Sequence, residues 1–145
     1  MSGRKLSLII TLFIVLSFIY IRFNYKRTSS LTINNMQILI EVADTYPKRS
    51  KGLSDRQYLE KDYGMLFIFP DSGYYNFWMN DMQFPLDFVW IKDNNVVDLT
   101  ENVPQPKNME RPLTFTAKSE FNKVLEINNG KIKEWGIKVG DKVTF

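Results

Sequence analysis

The sequence contains no cysteine and no histidine. Their absence excludes thiol nucleophiles, disulfides, zinc sites built on cysteine or histidine, and every Ser-His or Cys-His triad. It also excludes a lipoprotein anchor, which needs a cysteine. Acidic residues are missing from the first 27 positions, which hold five cations: Arg4, Lys5, Arg22, Lys26 and Arg27. The rest of the chain lacks a basic excess, with 14 Lys and Arg against 16 Asp and Glu. The overall net charge of +3 therefore belongs to the leader. A folded body without a concentrated basic face does not suit phosphate backbones, so nucleic acid is not an expected partner. No phosphate-cradling glycine loop, internal repeat or low-complexity segment is present, and no cofactor is expected.

What is present first is an apolar leader. Leu6 to Ile21 is 16 residues without a charge. At a rise of about 1.5 Å per residue it spans roughly 24 Å, against a hydrocarbon core of about 30 Å. Snorkelling by Arg22 and interfacial seating of Phe23, Tyr20 and Tyr25 close that gap. A bulky basic stretch follows the run, where a cleaved signal peptide would show small residues. The expectation is one uncleaved N-terminal transmembrane helix within residues 1–27, a polar linker over 28–36, and a globular domain over 37–145. Flanking charge is too evenly divided to fix the orientation.

The body reads mostly as strand. Residues 36–43 alternate in the period of two that marks a half-buried strand. Thr45 and Pro47 open a short helix that Gly52 limits to about two turns. Gly64–Pro70 is an apolar run of buried-strand length, Pro70–Gly73 has turn composition, and Tyr74–Met79 is an aromatic strand. Leu86–Lys92 and Val96–Thr100 flank a hairpin at Asp93-Asn94-Asn95. Prolines 104, 106 and 112 mark residues 102–112 as a loop. Strands over 113–117 and 122–128, a short helix over Lys131–Trp135 stopped by Gly136, and a final strand at Val143–Phe145 complete the chain. Seven or eight short strands with two small helices imply a mainly β fold, a compact sandwich or barrel-like domain.

Several motifs, in order, resemble one family, the domain of unknown function 192. They are Glu41-Val-Ala-Asp-Thr45 with Arg49, Gly52-Leu53 and Arg56; Gly64-Met-Leu-Phe67; Phe77-Trp78-Met79 with Pro85-Leu86-Asp87; and Val124-Leu-Glu126 with Gly136, Gly140-Asp141 and Val143. The resemblance covers about residues 37–144. It implies a compact mainly-β sandwich or barrel in membrane-linked or extracytoplasmic proteins, and supplies no reaction. Two places depart from the family pattern: Ser54 stands where methionine is usual, and Asn80-Asp81-Met82 replaces a Lys-Asn-Thr-like run.

Phe77–Asp87 is the densest group of candidate binding residues. Trp78, Met79 and Met82 offer apolar contact, while Asp81 and Asp87 could orient a polar ligand, the mixture that small-ligand pockets use. The alternative is that Phe77 and Met79 pack the core and Asp87 caps a turn. Trp78 and Met79 face opposite sides of a strand, so at most one side lines a given cleft. Arg49 and Arg56 either receive an anionic ligand group or pair structurally with Asp87 or Glu126. Asp87 shares a strand face with Val89 and Ile91. If buried, it needs a partner, from these arginines or from backbone N–H groups of the 80–84 loop.

Glu41, Asp44, Asp87 and Glu126 are the plausible acid–base groups, and two of them could serve a glycan hydrolase. No calcium-loop spacing is present, since Asp93-Asn94-Asn95 with Asp98 is too short, and no metal is expected. The reading these residues favour is a non-catalytic, membrane-anchored module that binds a small ligand or envelope component, and the family resemblance implies that it lies outside the cytoplasm. The alternatives are a carboxylate-dependent hydrolase of cell-envelope glycans and an accessory subunit of a membrane protein complex.

Overall fold

The computed structural model describes residues 9–17, 28–107 and 111–145. Residues 9–17 are helical, and the large apolar side chains over 9–16 are exposed. Among the described residues no helix is long and apolar enough to cross a membrane. The remainder of the expected transmembrane segment lies outside the described residues.

Nine strands and two short helices follow. They are β1 (Thr28–Ile33), β2 (Met36–Ala43), α1 (Tyr46–Lys51), β3 (Tyr63–Gly73), β4 (Phe77–Trp78), β5 (Leu86–Lys92), β6 (Asn95–Val103), β7 (Thr114–Phe115), β8 (Phe121–Asn128), α2 (Lys131–Glu134) and β9 (Val143–Thr144). Seven strands form one sheet in the order β6-β5-β8-β3-β2-β1-β9, and β4 pairs with β7 separately. All pairings are antiparallel except β2 with β3, which α1 connects. The large sheet curls until its ends meet. The Val96 amide donates to the Asp141 carbonyl at 2.9 Å, and the Val143 amide donates to the Asn94 carbonyl at 2.9 Å. The fold is mainly β, as the alternation of the sequence predicts.

The curl gives the sheet two buried faces. Along β5, Val89 and Ile91 join Ile38, Ile40, Leu125 and Ile127 in one core, which α2 and the chain beyond it close with Ile132, Trp135 and Ile137. Phe88 and Trp90 point the other way, into a second core with Met65, Phe67, Phe77 and Phe121. Successive residues of a strand alternate faces, so a strand buried on both sides reads as a continuous apolar run. That second core is covered by α1, the β4–β7 pair and their loops, and this cover holds the candidate site.

Five local expectations are corrected. Residues 28–36 are not a linker: Leu31 and Ile33 are buried, and β1 pairs with β2 through a turn at Asn34 and Asn35, both at positive φ. Asparagine tolerates that geometry, which two-residue hairpins require. Pro70–Gly73 does not turn the chain; β3 continues through it with an irregular register until Gly73 meets Phe121. Strand pairing with β8 there overrides the local turn composition. The aromatic strand shrinks to Phe77–Trp78, and the second strand of the central hairpin extends to Val103. α1 begins after Thr45 as expected, but the threonine side chain makes no capping bond.

Candidate functional site

The site begins with a row of residues running across the curled sheet. Glu41 of β2 lies opposite Met65 of β3, Met65 opposite Glu126 of β8, and Glu126 opposite Phe88 of β5. Directly paired residues share a face. Glu41 and Glu126 therefore point towards the aromatic core, two strands apart. Gly64, beside this row, allows β3 and β8 to approach: a Cβ there would sit 2.8 Å from the Glu126 carbonyl oxygen and from a Leu125 methyl group.

Above Glu126 the cover leaves a cavity of about 400 Å³. Its walls come from α1, β3 and β4, with Phe67, Phe69, Tyr75, Phe77 and Trp78 as the aromatic lining. Phe77 holds the walls together. It meets Phe67 and Trp90 edge-on, with ring centroids 5.2 and 5.3 Å away. Phe69 and Tyr75 stack at 3.9 Å. Trp78 remains 48% exposed at the cavity edge, and Tyr46 of α1 is exposed beside it. Gly52 ends α1 at the cavity with φ of +50°, and a Cβ there would press on the Phe67 ring at 3.2 Å. Both the backbone geometry and the ring demand glycine.

Glu126 is 5% exposed. Among the described residues no group donates a hydrogen bond to its carboxyl, which faces the cavity. Burial pushes its pKa up to about 8, against a smaller opposing pull from Arg56. The Arg56 guanidinium is occupied elsewhere: it binds Glu41 in a bidentate pair, at 2.6 and 2.8 Å. That pair holds the Arg56 pKa above its ordinary value. Arg49 lines the cavity but spends its Nη1 group on the carbonyls of Asp44 and Ile68, at 2.8 and 2.9 Å. It thereby ties α1 to β3, and its guanidinium lies 5.2 Å over the Phe69 ring. Lys51, also on the lining, is paired with Asp55.

Of the candidate residues, Arg49, Trp78, Met82 and Glu126 come together on this cavity. Arg56 stands behind it, bound to Glu41 rather than to Asp87 or Glu126. Met79 is buried in the core. Asp81 is exposed, in the left-handed conformation, and its carbonyl receives the Asp55 amide at 2.9 Å. Asp87 lies apart from the cavity. It is fully buried and accepts the amides of Asn102 and Ile132, at 2.9 and 3.0 Å. Its partners are thus backbone N–H groups, but those of β6 and α2 rather than the 80–84 loop, because β5 places it on the α2 side of the sheet.

The two departures from the family pattern meet. The Ser54 hydroxyl donates to the Asn80 carbonyl at 2.8 Å, and both Ser54 and Met82 line the cavity. Among the four acids considered for hydrolysis, Glu126 alone lines the cavity. Glu41 is held by Arg56, Asp44 sits at the surface with Lys48, and Asp87 is on the other face. Among the described residues no group of three acidic side chains is placed to hold a metal ion.

Sequence reasoning missed Phe67, Phe69 and Tyr75 as lining residues. Phe67 and Phe69 sit in an apolar run that reads as core, and Tyr75 follows a segment that reads as a turn. The one signal pointing to them is aromatic density on both sides of Pro70.

Comparison with known proteins places these observations. The family model of DUF192, described as an uncharacterised ACR, matches residues 29–145. A protein of unknown function from Novosphingobium aromaticivorans DSM 12444 is 31% identical, with a TM-score of 0.71 over 81% of this chain and 85% of that one. A Sinorhizobium meliloti 1021 protein described as a candidate transcription regulator is 24% identical, with a TM-score of 0.73 over 81% of this chain and 93% of that one. The latter likeness concerns the fold alone. No curated protein matches the chain.

Proposed function

The chain belongs to the DUF192 family, and with no reaction to inherit from that membership we propose, from its own geometry, that it is a small-ligand-binding module. The observation that carries this reading is the cavity over Glu126. Aromatic walls surround one buried carboxyl that has no hydrogen-bond donor of its own among the described residues. Among the described residues no fully buried side-chain nitrogen or oxygen lacks a partner, so the Glu126 oxygens open to the cavity rather than lying sealed in protein. An unpaired carboxyl facing an aromatic cavity is the arrangement a ligand would complete. The volume falls at the lower end of the roughly 300–1,000 Å³ range of small-molecule sites. Trp78 and Tyr46 provide exposed aromatic contact at its edge.

The leader complements this reading. In the proposal, residues within 1–27 remain attached as a single membrane anchor, and the domain lies outside the cytoplasm. Its support is the uncharged run Leu6–Ile21 together with the exposed apolar side chains over residues 9–16, which need another apolar phase to cover them. The ligand is then a small molecule or envelope component met at the membrane surface.

The test is binding to the full chain in a neutral detergent, screened by ligand-observed NMR with a small-fragment set. Hits should compete with one another and weaken in Trp78→Ala. Hits unaffected by that substitution would remove the cavity as the site.

A further inference from the structure

We propose that the cavity recognises an organic cation, a ligand with an alkylated ammonium head that pairs with the Glu126 carboxylate inside the aromatic wall. This inference rests on the binding reading above and names its ligand class. Three observations carry it.

Of the charges around the site, Arg56 and Lys51 have acidic partners, while Arg49 and Glu126 have no oppositely charged side chain in direct contact among the described residues. Arg56 from the loop after α1 is bidentate on Glu41 of β2. Arg49 of α1 is held by two main-chain carbonyls, and Lys51 of α1 by Asp55. Glu126 has the attraction of Arg56 but no direct donor among the described residues. When ionised, it is the acid at the cavity that lacks a hydrogen-bond donor or ion-pair partner of its own among the described residues.

The walls suit a cation too. Aromatic faces carry negative electrostatic potential, and alkylammonium groups bind in aromatic cages within about 6 Å of the ring centroids. Phe67, Phe69, Tyr75, Phe77 and Trp78 line one space. The chain's own Arg49 already lies over Phe69, so this wall accepts a cation in the folded protein.

The protonation state then couples to binding. In the empty cavity at neutral pH, burial holds the proton on Glu126. A cation beside the carboxyl favours the ionised form, so the proton leaves to solvent as the ligand enters. The surrounding charges that set this exchange are Arg56, Glu41 and the nearby Glu60 on one side and Arg49 and Lys51 on the other.

The experiment is isothermal titration of the full chain in a neutral detergent with three probes of one shape. Choline is the cation, 3,3-dimethyl-1-butanol its neutral isostere, and 3,3-dimethylbutyrate the anion. Choline should bind about tenfold or more tightly than the alcohol, a difference of about 1.4 kcal/mol. At pH 7 its measured heat should change with buffer ionisation enthalpy, reporting release of close to one proton. Glu126→Gln should remove both the preference and the proton release, and a cooperative melt will show that the variant is folded. Equal binding of the alcohol would overturn the cation inference while leaving the cavity a binding site. Preference for the butyrate would do the same and redirect recognition to Arg49. No heat from any of the three would overturn the binding reading itself.

Discussion

Replacing Glu126 by glutamine should change how stability depends on pH. The folded chain raises the Glu126 pKa from 4.5 to about 8. Between those values the folded state keeps a proton that the unfolded state has released. Stability therefore falls as pH rises through this window and levels off above it. Each pH unit across the window corresponds to about 1.4 kcal/mol, so the full decline is about 3–5 kcal/mol. The sequence contains neither histidine nor cysteine, and the α-amino group, which ordinarily titrates near the top of the window at about 7.7–8.0, is common to both proteins. The carboxylates of Asp44 and Glu134 are held below their ordinary range by Lys48 and Lys131 and titrate beneath it. Glutamine keeps the shape and has no proton to lose. Urea denaturation of both proteins at half-unit steps from pH 5 to 9 should give a falling wild-type profile and a flatter one for Glu126→Gln. The two should lie close together near pH 5, with the variant ahead by several kcal/mol, on the order of the wild-type decline, at pH 9. Parallel profiles would refute the reasoning, since they would show that the carboxyl does not change charge in a buried site.

Other substitutions separate framework from cavity. Asp87→Asn should cost about 1–3 kcal/mol, because an amide cannot accept both the Asn102 and Ile132 amides; an unchanged denaturation midpoint would contradict the burial of that carboxylate. Gly52→Ala should destabilise by about 1–3 kcal/mol, measured the same way, from its left-handed backbone and the Phe67 ring. Trp78→Ala should leave stability within about 1 kcal/mol, since the side chain is half exposed, yet weaken choline binding by calorimetry. Intact-mass measurement of membrane-extracted protein should show the leader still attached, and a mature chain starting within residues 18–35 would contradict the anchor.

The sequence made some of this legible where local chemistry decides. Thr45, Pro47 and Gly52 delimit α1 because proline is tolerated in a first helical turn and glycine accepts the positive φ that ends the helix. The alternation around Val89 and Ile91 placed Asp87 on a core face. Where tertiary pairing decides, local signals misled. Pro70–Gly73 has the composition of a turn, but antiparallel pairing carries β3 through it to Phe121. β1 reads as polar because Thr28, Ser29, Ser30 and Thr32 outnumber the two side chains it buries, Leu31 and Ile33. A chain begun at Ser30 would remove the first two residues of that strand.

The site was partly legible for the same reason. Trp78 and Met82 stand out by type in one short segment. Glu126 stood out as one acid among four, as part of a family-like motif and as a possible arginine partner. Its isolation depends on Arg56 choosing Glu41, a partner 15 residues away, and on strand register placing Glu126 beneath walls drawn from α1, β3 and β4. Neither fact is written in local spacing. Asp87 and Met79 are as conspicuous by type as the residues that line the cavity, and burial directed both into the cores.

The most direct test of cation recognition over Glu126 is a crystal structure of the full chain grown with benzyltrimethylammonium. The trimethylammonium nitrogen should lie inside the cavity, against the Glu126 carboxyl and within about 6 Å of the Phe77 or Trp78 ring centroid. An empty cavity at saturating concentration, or a ligand whose nitrogen points to solvent away from Glu126, would contradict it.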